Sequence, residues 1–216
     1  MGSNGINSKT MRIRVKFAKT EPMRFTSHLD LYRAWERLLR RANVQLVFSQ
    51  GYNPRPKLQL AAPLPLGITS CSEIIDFWLS EGPDDLEILT SELIQVQPPG
   101  IDIMMVKSVD PSAPPLQKKV TAAQYEVTLL EQSFELDQRI KSLLNSEAII
   151  RQRRGKSYDL RPLIQELSID SDDPNLIQML LIAQEGSTGR PEEVLLALDI
   201  QPENTRIERT KIIYQF

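Results

Sequence analysis

The sequence Arg24-Phe-Thr-Ser-His-Leu-Asp-Leu31 opens the stretch, reaching to Gly67, from which the fold is predicted. Ser27 has the side chain of a typical helix N-cap, and Asp30, three residues later, places an acidic group in the first turn. Apolar residues then recur with the period of a helix. We therefore predict a helix that begins at Ser27 and ends near Ala42.

The predicted helix is apolar on one side and basic on the other. Its apolar stripe consists of Leu31, Trp35, Leu38, Leu39 and Ala42. The opposite side carries a row of four arginines, whose spacing places them on one face of a helix: Arg33, Arg37, Arg40 and Arg41. Guanidinium groups present planar sets of donors that suit phosphate oxygens, so this row indicates a surface for a phosphate backbone.

The loop after the helix adds basic and aromatic side chains. It reads Ser49-Gln-Gly-Tyr-Asn-Pro-Arg-Pro-Lys57, and Tyr52 within it offers a ring on which a base can stack. The predicted nucleic-acid surface therefore comprises Arg24, Arg33, Arg37, Arg40, Arg41, Tyr52, Arg55 and Lys57. The alternative is a solvated helix face whose arginines pair with nearby acidic side chains.

The net charge of −2 hides a strong asymmetry along the chain. Residues 11–60 contain 11 Lys and Arg residues against three acidic residues, whereas residues 61–216 contain 14 against 25. A basic block inside an acidic protein indicates a polyanionic partner. A match between the basic and acidic parts, within the chain or between subunits, is the alternative.

The order of the predicted elements indicates the fold class. Period-two alternation predicts a half-buried strand over residues 11–18, with inward Ile13, Val15 and Phe17 and outward Arg12, Arg14 and Lys16. Further extended segments are predicted over residues 44–48, 57–62, 72–79 and 101–107, and a second helix over residues 83–95. This βαββαβ order is that of a ferredoxin-like α+β domain, in which two helices cover one face of an antiparallel sheet.

The pattern recurs in the second half of the chain. Strands are predicted over residues 122–130, 148–153, 176–184 and 206–214, and helices over residues 134–145, from Asp159 and over residues 192–198. We therefore predict two ferredoxin-like domains in tandem, covering residues 11–108 and 119–216 and joined by a Pro-rich linker over residues 109–118. Residues 1–10 are polar, and we expect them to be a disordered leader or a tag.

The second half contains three further candidate features. A second basic cluster, at a predicted hairpin, consists of Arg151, Arg153, Arg154 and Lys156. The loop Gly186, Ser187, Thr188, Gly189, Arg190 resembles either an anion-binding helix start or a turn that needs two glycines. It is not a P-loop, because the Lys-Ser/Thr ending is absent. Asp159 is a candidate catalytic aspartate or the N-cap of the following helix.

His28 is the only histidine and the other candidate catalytic residue. In the first turn of the predicted helix, its imidazole could move a proton during attack by a ribose 2′-hydroxyl. A structural histidine that caps the helix or accepts a hydrogen bond there is the more common case. A Ser–His–Asp triad is not indicated, because Ser27 and His28 are neighbours in the sequence.

The composition excludes two kinds of metal site. Cys71 is the only cysteine and His28 the only histidine, so neither a cysteine-rich nor a histidine-rich metal site can be built from this sequence. We predict no metal ion and no cofactor. Magnesium bound by carboxylates stays open as the alternative, because Asp and Glu residues are plentiful. No window approaches the roughly 20 apolar residues that a membrane span needs, so we expect a cytoplasmic protein with no membrane contact.

Several motifs resemble those of the bacterial radical-SAM-linked protein family. They are Arg24-Phe-Thr-Ser-His-Leu-Asp30, Arg40-Arg-Ala42, the Ser49–Lys57 loop, Pro63-Leu-Pro-Leu-Gly67, Asp159-Leu-Arg-Pro162 and Gly189-Arg-Pro-Glu-Glu-Val194. The resemblance covers nearly the whole chain after Thr10. This family is a domain of unknown function that is fused to, or encoded beside, a radical SAM protein. The resemblance implies such a partner and no catalytic residues.

A radical SAM enzyme needs three cysteines for its iron–sulfur cluster, so one cysteine cannot support that chemistry. We predict an accessory protein that binds RNA or a ribonucleoprotein and positions this substrate, RNA or ribosome-associated, for a radical SAM enzyme. Two alternatives stay open. One is a metal-independent RNA endonuclease that uses His28, and the other is a protein–protein adaptor whose basic helix docks on an acidic partner.

Overall fold

In the computed structural model of this chain, residues 10–83, 85–153 and 155–214 are described. They form a mixed α and β fold with few helices and mostly antiparallel strands. The chain divides into two compact units. The first unit runs to Leu66 and resumes over Glu73–Leu116, whereas the second contains Gly67–Ser72 and the chain from Gln117 onwards.

The first unit has four strands and two helices. In chain order these are β1 (Met11–Lys19), α1 (His28–Arg41), β2 (Leu58–Leu60), the part of β3 (Ile68–Leu79) that follows Ser72, α2 (Leu86–Val96) and β4 (Ile101–Val109). The strands lie in the order β2-β3-β1-β4. Strand β1 pairs antiparallel with β4, and β2 pairs antiparallel with β3.

The core of the first unit forms where the alternation of β1 predicts it. Ile13, Val15 and Phe17 are fully buried, which confirms their predicted inward orientation. The ring of Phe17 packs edge-on against Trp35 of α1, with 4.8 Å between the ring centroids. The apolar stripe of α1 therefore covers this face of the sheet, and aromatic contacts of this geometry stabilise by about 0.5–1.5 kcal/mol beyond area burial.

The predicted outward orientation of Arg12 is wrong in one respect, because its side chain does not reach solvent. Arg12 is only 1% exposed, and its Nε donates to Oδ2 of Asp76 over 2.7 Å. Its Nη1 donates to the carbonyl of Ala113 over 2.5 Å, and its guanidinium lies 4.7 Å from the centre of the Trp78 ring. A buried charge is tolerated only when it is paired and hydrogen-bonded in this way.

The Pro-rich segment predicted as a linker is held against the first unit as far as Leu116. Ala113 and Pro114 accept hydrogen bonds from Arg12, and the side chain of Leu116 is buried. Leu116 also begins a single helical turn, α3 (Leu116–Lys119). The division between the two units follows Leu116.

The second unit continues the chain through seven strands and two helices of more than one turn. They are β5 (Val120–Leu129), α4 (Leu136–Asn145), β6 (Ile150–Arg153), β7 (Lys156–Asp159), β8 (Ile164–Ile169), β9 (Leu176–Gln184), β10 (Ser187–Thr188), α5 (Pro191–Ala197) and β11 (Thr205–Tyr214). The main sheet has the order β8-β9-β5-β11, with antiparallel pairs, and β10 also pairs with β9. The first residues of β3 pair parallel with β11, and β6 and β7 form a separate hairpin.

Several secondary-structure predictions differ from the structure. Residues 44–48 form only isolated bridges, at Leu46 and Phe48, because this segment contacts Leu79 and Pro56 in turn and builds no regular ladder. The helix predicted from Asp159 is a 3₁₀ turn over Arg161–Leu163. Strand β8 was not predicted, since a register shift near its start breaks simple alternation.

Candidate nucleic-acid interface

Helix α1 begins at the predicted cap. Ser27 Oγ accepts a hydrogen bond from the backbone N–H of Asp30 over 3.1 Å and donates to Oδ2 of the same residue over 2.7 Å. This bond from Ser27 is the largest cause that lowers the pKa of Asp30, and the charges of Arg33 and Arg37 lower the pKa further. The apolar stripe of α1 is buried in the core, and all four predicted arginines on the opposite face are exposed.

The segment after α1, residues 44–57, forms an extended arm, which we call the arm. Its Val47 N–H donates to the carbonyl of Trp78 over 2.7 Å, which holds the arm along β3. Ser49 closes the tip, because its N–H donates to the Arg55 carbonyl over 2.8 Å and its Oγ accepts from the Arg55 N–H over 3.0 Å. Tyr52 lies in the tip and is 99% exposed.

A groove of about 600 Å³ lies between α1 and the arm, and we call it the α1 groove. Its lining residues are Leu29, Tyr32, Arg33, Glu36, Arg40, Asn43, Val44, Gln45, Leu46, Phe48, Pro54, Arg55 and Pro56. The Tyr32 hydroxyl donates to the carbonyl of Pro56 over 3.1 Å and ties the helix to the arm. Burial is the largest cause that raises the pKa of Tyr32, and the nearby Glu36 carboxylate raises it further.

The predicted arginine face divides between two surroundings. Arg33 and Arg40 line the α1 groove together with Arg55, whereas Arg37 and Arg41 do not. Arg41 Nη2 instead donates to the carbonyl of Val96, at the end of α2, over 2.7 Å. The sequence therefore predicted the face correctly as an exposed row, but only part of it borders the groove.

The three arginines of the groove form few hydrogen bonds or ion pairs through their guanidinium groups. Arg33 pairs with Asp30 over 3.2 Å, and exposed pairs of this kind contribute at most about 1 kcal/mol. The guanidinium groups of Arg40 and Arg55 form no hydrogen bond and no ion pair with any residue in the described parts of the chain. Two exposed cations without an acidic partner, beside a groove, favour an anionic ligand.

Exposed aromatic rings accompany these cations. Phe48 lines the α1 groove with about half of its side chain exposed, and Tyr52 lies on the same arm. Bases of single-stranded nucleic acid stack on such rings, while arginines contact the phosphates. Sequence reasoning found Tyr52 but missed Phe48, because Phe48 was assigned to a strand in which an apolar residue is expected to be buried.

Lys57 and Arg24 of the predicted surface also lie outside the groove lining. Lys57 Nζ lies 4.4 Å from the centre of the Trp78 ring, and the Arg24 guanidinium lies 5.2 Å from that of Phe25. Both side chains therefore stabilise local structure through cation–π contacts, worth about 0.5–1 kcal/mol at exposed sites.

His28, the candidate proton-transfer residue, is the first residue of α1 and is exposed. It does not line the α1 groove, whose nearest lining residue in the sequence is Leu29. The structure therefore does not bring this imidazole into the lining of the candidate ligand groove.

In the second unit, the fold brings two predicted features together. Arg153 and Lys156 of the β6–β7 hairpin line a cavity of about 420 Å³ with Gly186, Ser187 and Thr188. Arg153 is held there by bonds to the Thr188 carbonyl (3.2 Å) and the Tyr158 hydroxyl (3.1 Å). Burial is the largest cause that raises the pKa of Tyr158, and Arg153 opposes it.

Arg151 and Asp159, two other predicted site residues of this region, form contacts within the fold. Arg151 Nε pairs with Glu193 Oε2 over 3.1 Å. Arg154, which belongs to the same predicted basic cluster, lies outside the described residues. Asp159 also lines the cavity, but its Oδ1 accepts from the N–H groups of Ile149 (2.8 Å) and Arg161 (3.0 Å). These two bonds are those of a turn-forming aspartate.

The two glycines of the Gly186–Arg190 loop, which resembled an anion site, are accounted for by backbone geometry. Gly186 has a φ of +81°, which favours glycine. A Cβ on Gly189 would lie 3.1 Å from the Leu163 carbonyl oxygen, a tight contact, so the close approach of the two backbones favours glycine there. Arg190 is the residue before α5, and its side chain does not cap that helix.

Glu36 is a second groove residue that sequence reasoning missed. A single acidic residue between arginines on an exposed helix face is typical of a solvated surface. Only the position of the arm places this half-buried carboxylate in the groove lining.

Within residues 10–83, 85–153 and 155–214, no group of three or more His, Cys, Asp or Glu side chains is arranged to hold a metal ion. None of the helices described has the length and apolarity to cross a membrane.

Comparison with known proteins supplies a family but no activity. A family model described as an uncharacterized protein conserved in bacteria (DUF2344) matches residues 12–191. No curated protein sequence matches the chain.

Solved structures give only weak likenesses. The small subunit of acetolactate synthase from Thermotoga maritima has a TM-score of 0.29 and 11% identity, over 96% of each chain. An unknown protein from Galdieria sulphuraria has a TM-score of 0.30 and 13% identity, over 93% of this chain and 98% of the other. The third, described as a glycine cleavage system transcriptional repressor (putative), has a TM-score of 0.29 and 11% identity, over 96% and 100%. Scores of this size do not establish a shared fold.

Proposed function

We propose that this chain, which belongs to the conserved bacterial family DUF2344, binds single-stranded RNA in the α1 groove. The observation that carries the proposal is the set of three arginines, Arg33, Arg40 and Arg55, at one groove beside exposed aromatic rings. Each arginine supplies planar donors to phosphate oxygens. A groove that combines these groups suits an unpaired strand, whose bases are free to leave the stack.

The supporting architecture is two ferredoxin-like domains in tandem, which we propose from strand order. When the four principal strands of each unit are numbered along the chain, both sheets have the order 4-1-3-2. In both units a helix follows the first strand, and another follows the third. This is the βαββαβ arrangement.

We further propose that the bound RNA, or a ribosome-associated substrate, is presented to a radical SAM protein. This partner is implied by the resemblance of the Arg24–Asp30, Ser49–Lys57 and Pro63–Gly67 motifs to the radical-SAM-linked family. Affinity purification of the tagged protein from its own host, followed by mass spectrometry, tests the partnership. Recovery without any radical SAM protein would remove this part of the proposal, and the cytoplasmic location stays a prediction.

RNA binding is tested by fluorescence anisotropy with a mixed-sequence single-stranded RNA of twelve nucleotides. The test variant is Arg40→Gln with Arg55→Gln, and the control is Lys118→Gln with Lys211→Gln, which removes two exposed charges from the second unit. We expect the test variant to bind at least about tenfold more weakly and the control to bind as the wild type does.

Salt dependence adds a second readout. For single strands the slope of log K against log salt is about −0.7 for each phosphate contact, so loss of two contacts flattens the slope by about 1.4. Wild-type protein without RNA affinity at low salt would refute the proposal. In that case, binding of polyglutamate to the same arginines would support the adaptor alternative.

A further inference from the structure

Glu36 differs from the other charged residues of the α1 groove in both sign of charge and exposure. It is half-buried, whereas Arg33, Arg40 and Arg55 are exposed. One helical turn separates it from Tyr32, whose hydroxyl is fixed to the Pro56 carbonyl. Glu36 is therefore the least exposed charged residue of the groove lining.

The Glu36 carboxylate forms no hydrogen bond and no ion pair with the residues that the structure describes, although three arginines line the same groove. An ionised carboxylate only accepts hydrogen bonds, and it has two oxygens with which to do so. In a groove that binds only phosphates, a negative charge in the lining would weaken binding. Its presence indicates that the ligand carries hydrogen-bond donors as well as phosphates.

We infer that the α1 groove selects guanine in single-stranded RNA, with Glu36 as the residue that reads the base. The inference rests on the proposed RNA binding. Guanine presents the N1–H and N2–H donors side by side on its Watson–Crick edge, and they match the two oxygens of one carboxylate. Adenine and cytosine each place a ring acceptor beside their amino group, and uracil places carbonyls on both sides of its N3–H. Each of those arrangements would set an acceptor against Glu36.

The remaining groove residues suit the rest of the nucleotide. Phe48 lines the groove and is about half exposed, so it offers an aromatic surface for the base. Arg40 and Arg55 are exposed and remain available for the phosphates on either side. The volume of about 600 Å³ lies in the range of roughly 300–1,000 Å³ that pockets for small ligands have.

The inference is tested with four oligouridine RNAs of nine nucleotides that carry G, A, C or U at the central position. A single guanine avoids the association of guanine-rich strands. We expect the wild type to bind the G-containing RNA about 5- to 150-fold more tightly than the others, as a bidentate base contact provides. In Glu36→Gln the preference should fall to within about twofold, while affinity for the all-uridine RNA is unchanged or higher.

Glu92→Gln, on the exposed face of α2, is the matched control and should keep the preference. Equal binding of all four RNAs by the wild type would overturn guanine selection and leave RNA binding intact. A guanine preference that survives in Glu36→Gln would remove Glu36 as the reading residue. Absence of binding to every RNA would overturn the proposed function itself.

Discussion

Arg12 Nε donates to Oδ2 of Asp76 over 2.7 Å, and both side chains are buried in the first unit. Asp76 Oδ1 also accepts from Nε of Arg14 over 2.8 Å, so one carboxylate serves two guanidinium groups. Arg12 additionally binds the Ala113 carbonyl, which fixes the Pro-rich segment. The pair thus joins three parts of the chain that are distant in sequence.

We predict that Asp76→Asn destabilises the first unit by about 3 kcal/mol, because it leaves the buried Arg12 cation without a charge partner. Both tryptophans, Trp35 and Trp78, belong to this unit, so urea unfolding followed by tryptophan fluorescence reports on it alone. Glu92→Gln is exposed and should change the free energy of unfolding by no more than about 0.5 kcal/mol. Equal stability of Asp76→Asn and wild type would show that the pair is not needed.

Tyr52 is predicted to contribute to RNA binding without contributing to stability. Its ring is 99% exposed, so Tyr52→Ala should leave the melting temperature unchanged. Loss of one stacked base should weaken binding by about 1–3 kcal/mol, or roughly 5- to 150-fold, in the anisotropy assay. Phe134→Ala removes a ring that is 84% exposed in the second unit and should not alter affinity. Equal effects of the two changes would argue against the arm as the stacking site.

Two glutamates face each other in the second unit, and we predict that removing one of the two charges stabilises the protein in a pH-dependent way. Glu208 of β11 lies directly opposite Glu126 of β5, and burial, with the Glu126 charge as the second cause, raises the pKa of Glu208. Because the pKa is raised on folding, the ionised form is disfavoured in the folded state. The resulting loss of stability is present at neutral pH and disappears as pH falls below the pKa of the unfolded chain.

Glu208→Gln removes that repulsion, so we expect a gain of about 0.5 kcal/mol at pH 7, since directly opposed like charges have effects of this order. The gain should shrink toward zero below about pH 4, near the ordinary pKa of glutamate. Thermal unfolding followed by circular dichroism at both pH values measures it. Glu203→Gln, an exposed change, is the control, and a Glu208→Gln gain that is equal at both pH values would contradict the assignment.

We predict that the protein leaves RNA oligonucleotides uncut in EDTA, with or without His28. This residue is exposed at the start of α1 and does not line the groove. His28→Asn should therefore leave RNA affinity unchanged, and gel electrophoresis should show intact RNA for both proteins. A general base contributes roughly 10²–10⁴-fold to rate. Cutting by the wild type that is lost in His28→Asn would favour the endonuclease alternative.

Strongly periodic segments could be predicted from the sequence. The cap at Ser27, the apolar stripe of α1 and the inward side of β1 follow from local spacing, and each is confirmed. The burial of Arg12 could not be predicted, because the carbonyl that it binds lies 101 residues further along the chain. Alternation identifies the two faces of a strand but not what covers the second face.

The candidate site was predictable only in part, for the same reason. The arginines and Tyr52 could be identified from the sequence, because their residue types and their predicted positions on a helix and a loop suggest nucleic-acid contact. Which arginines border the groove depends on the arm, which is held by hydrogen bonds to β3 and to Tyr32. Phe48 and Glu36 were missed because each has an ordinary local context, and only tertiary structure brings them to one groove.

The central claim is that RNA lies in the α1 groove, and photochemical cross-linking tests it most directly. A single-stranded RNA that carries 4-thiouridine is bound to the full chain and irradiated, and the attached peptides are identified by mass spectrometry. We predict cross-links within residues 29–57, with Phe48 or Tyr52 as the main attachment site. Cross-links concentrated in the second unit, with none within residues 29–57, would contradict the account.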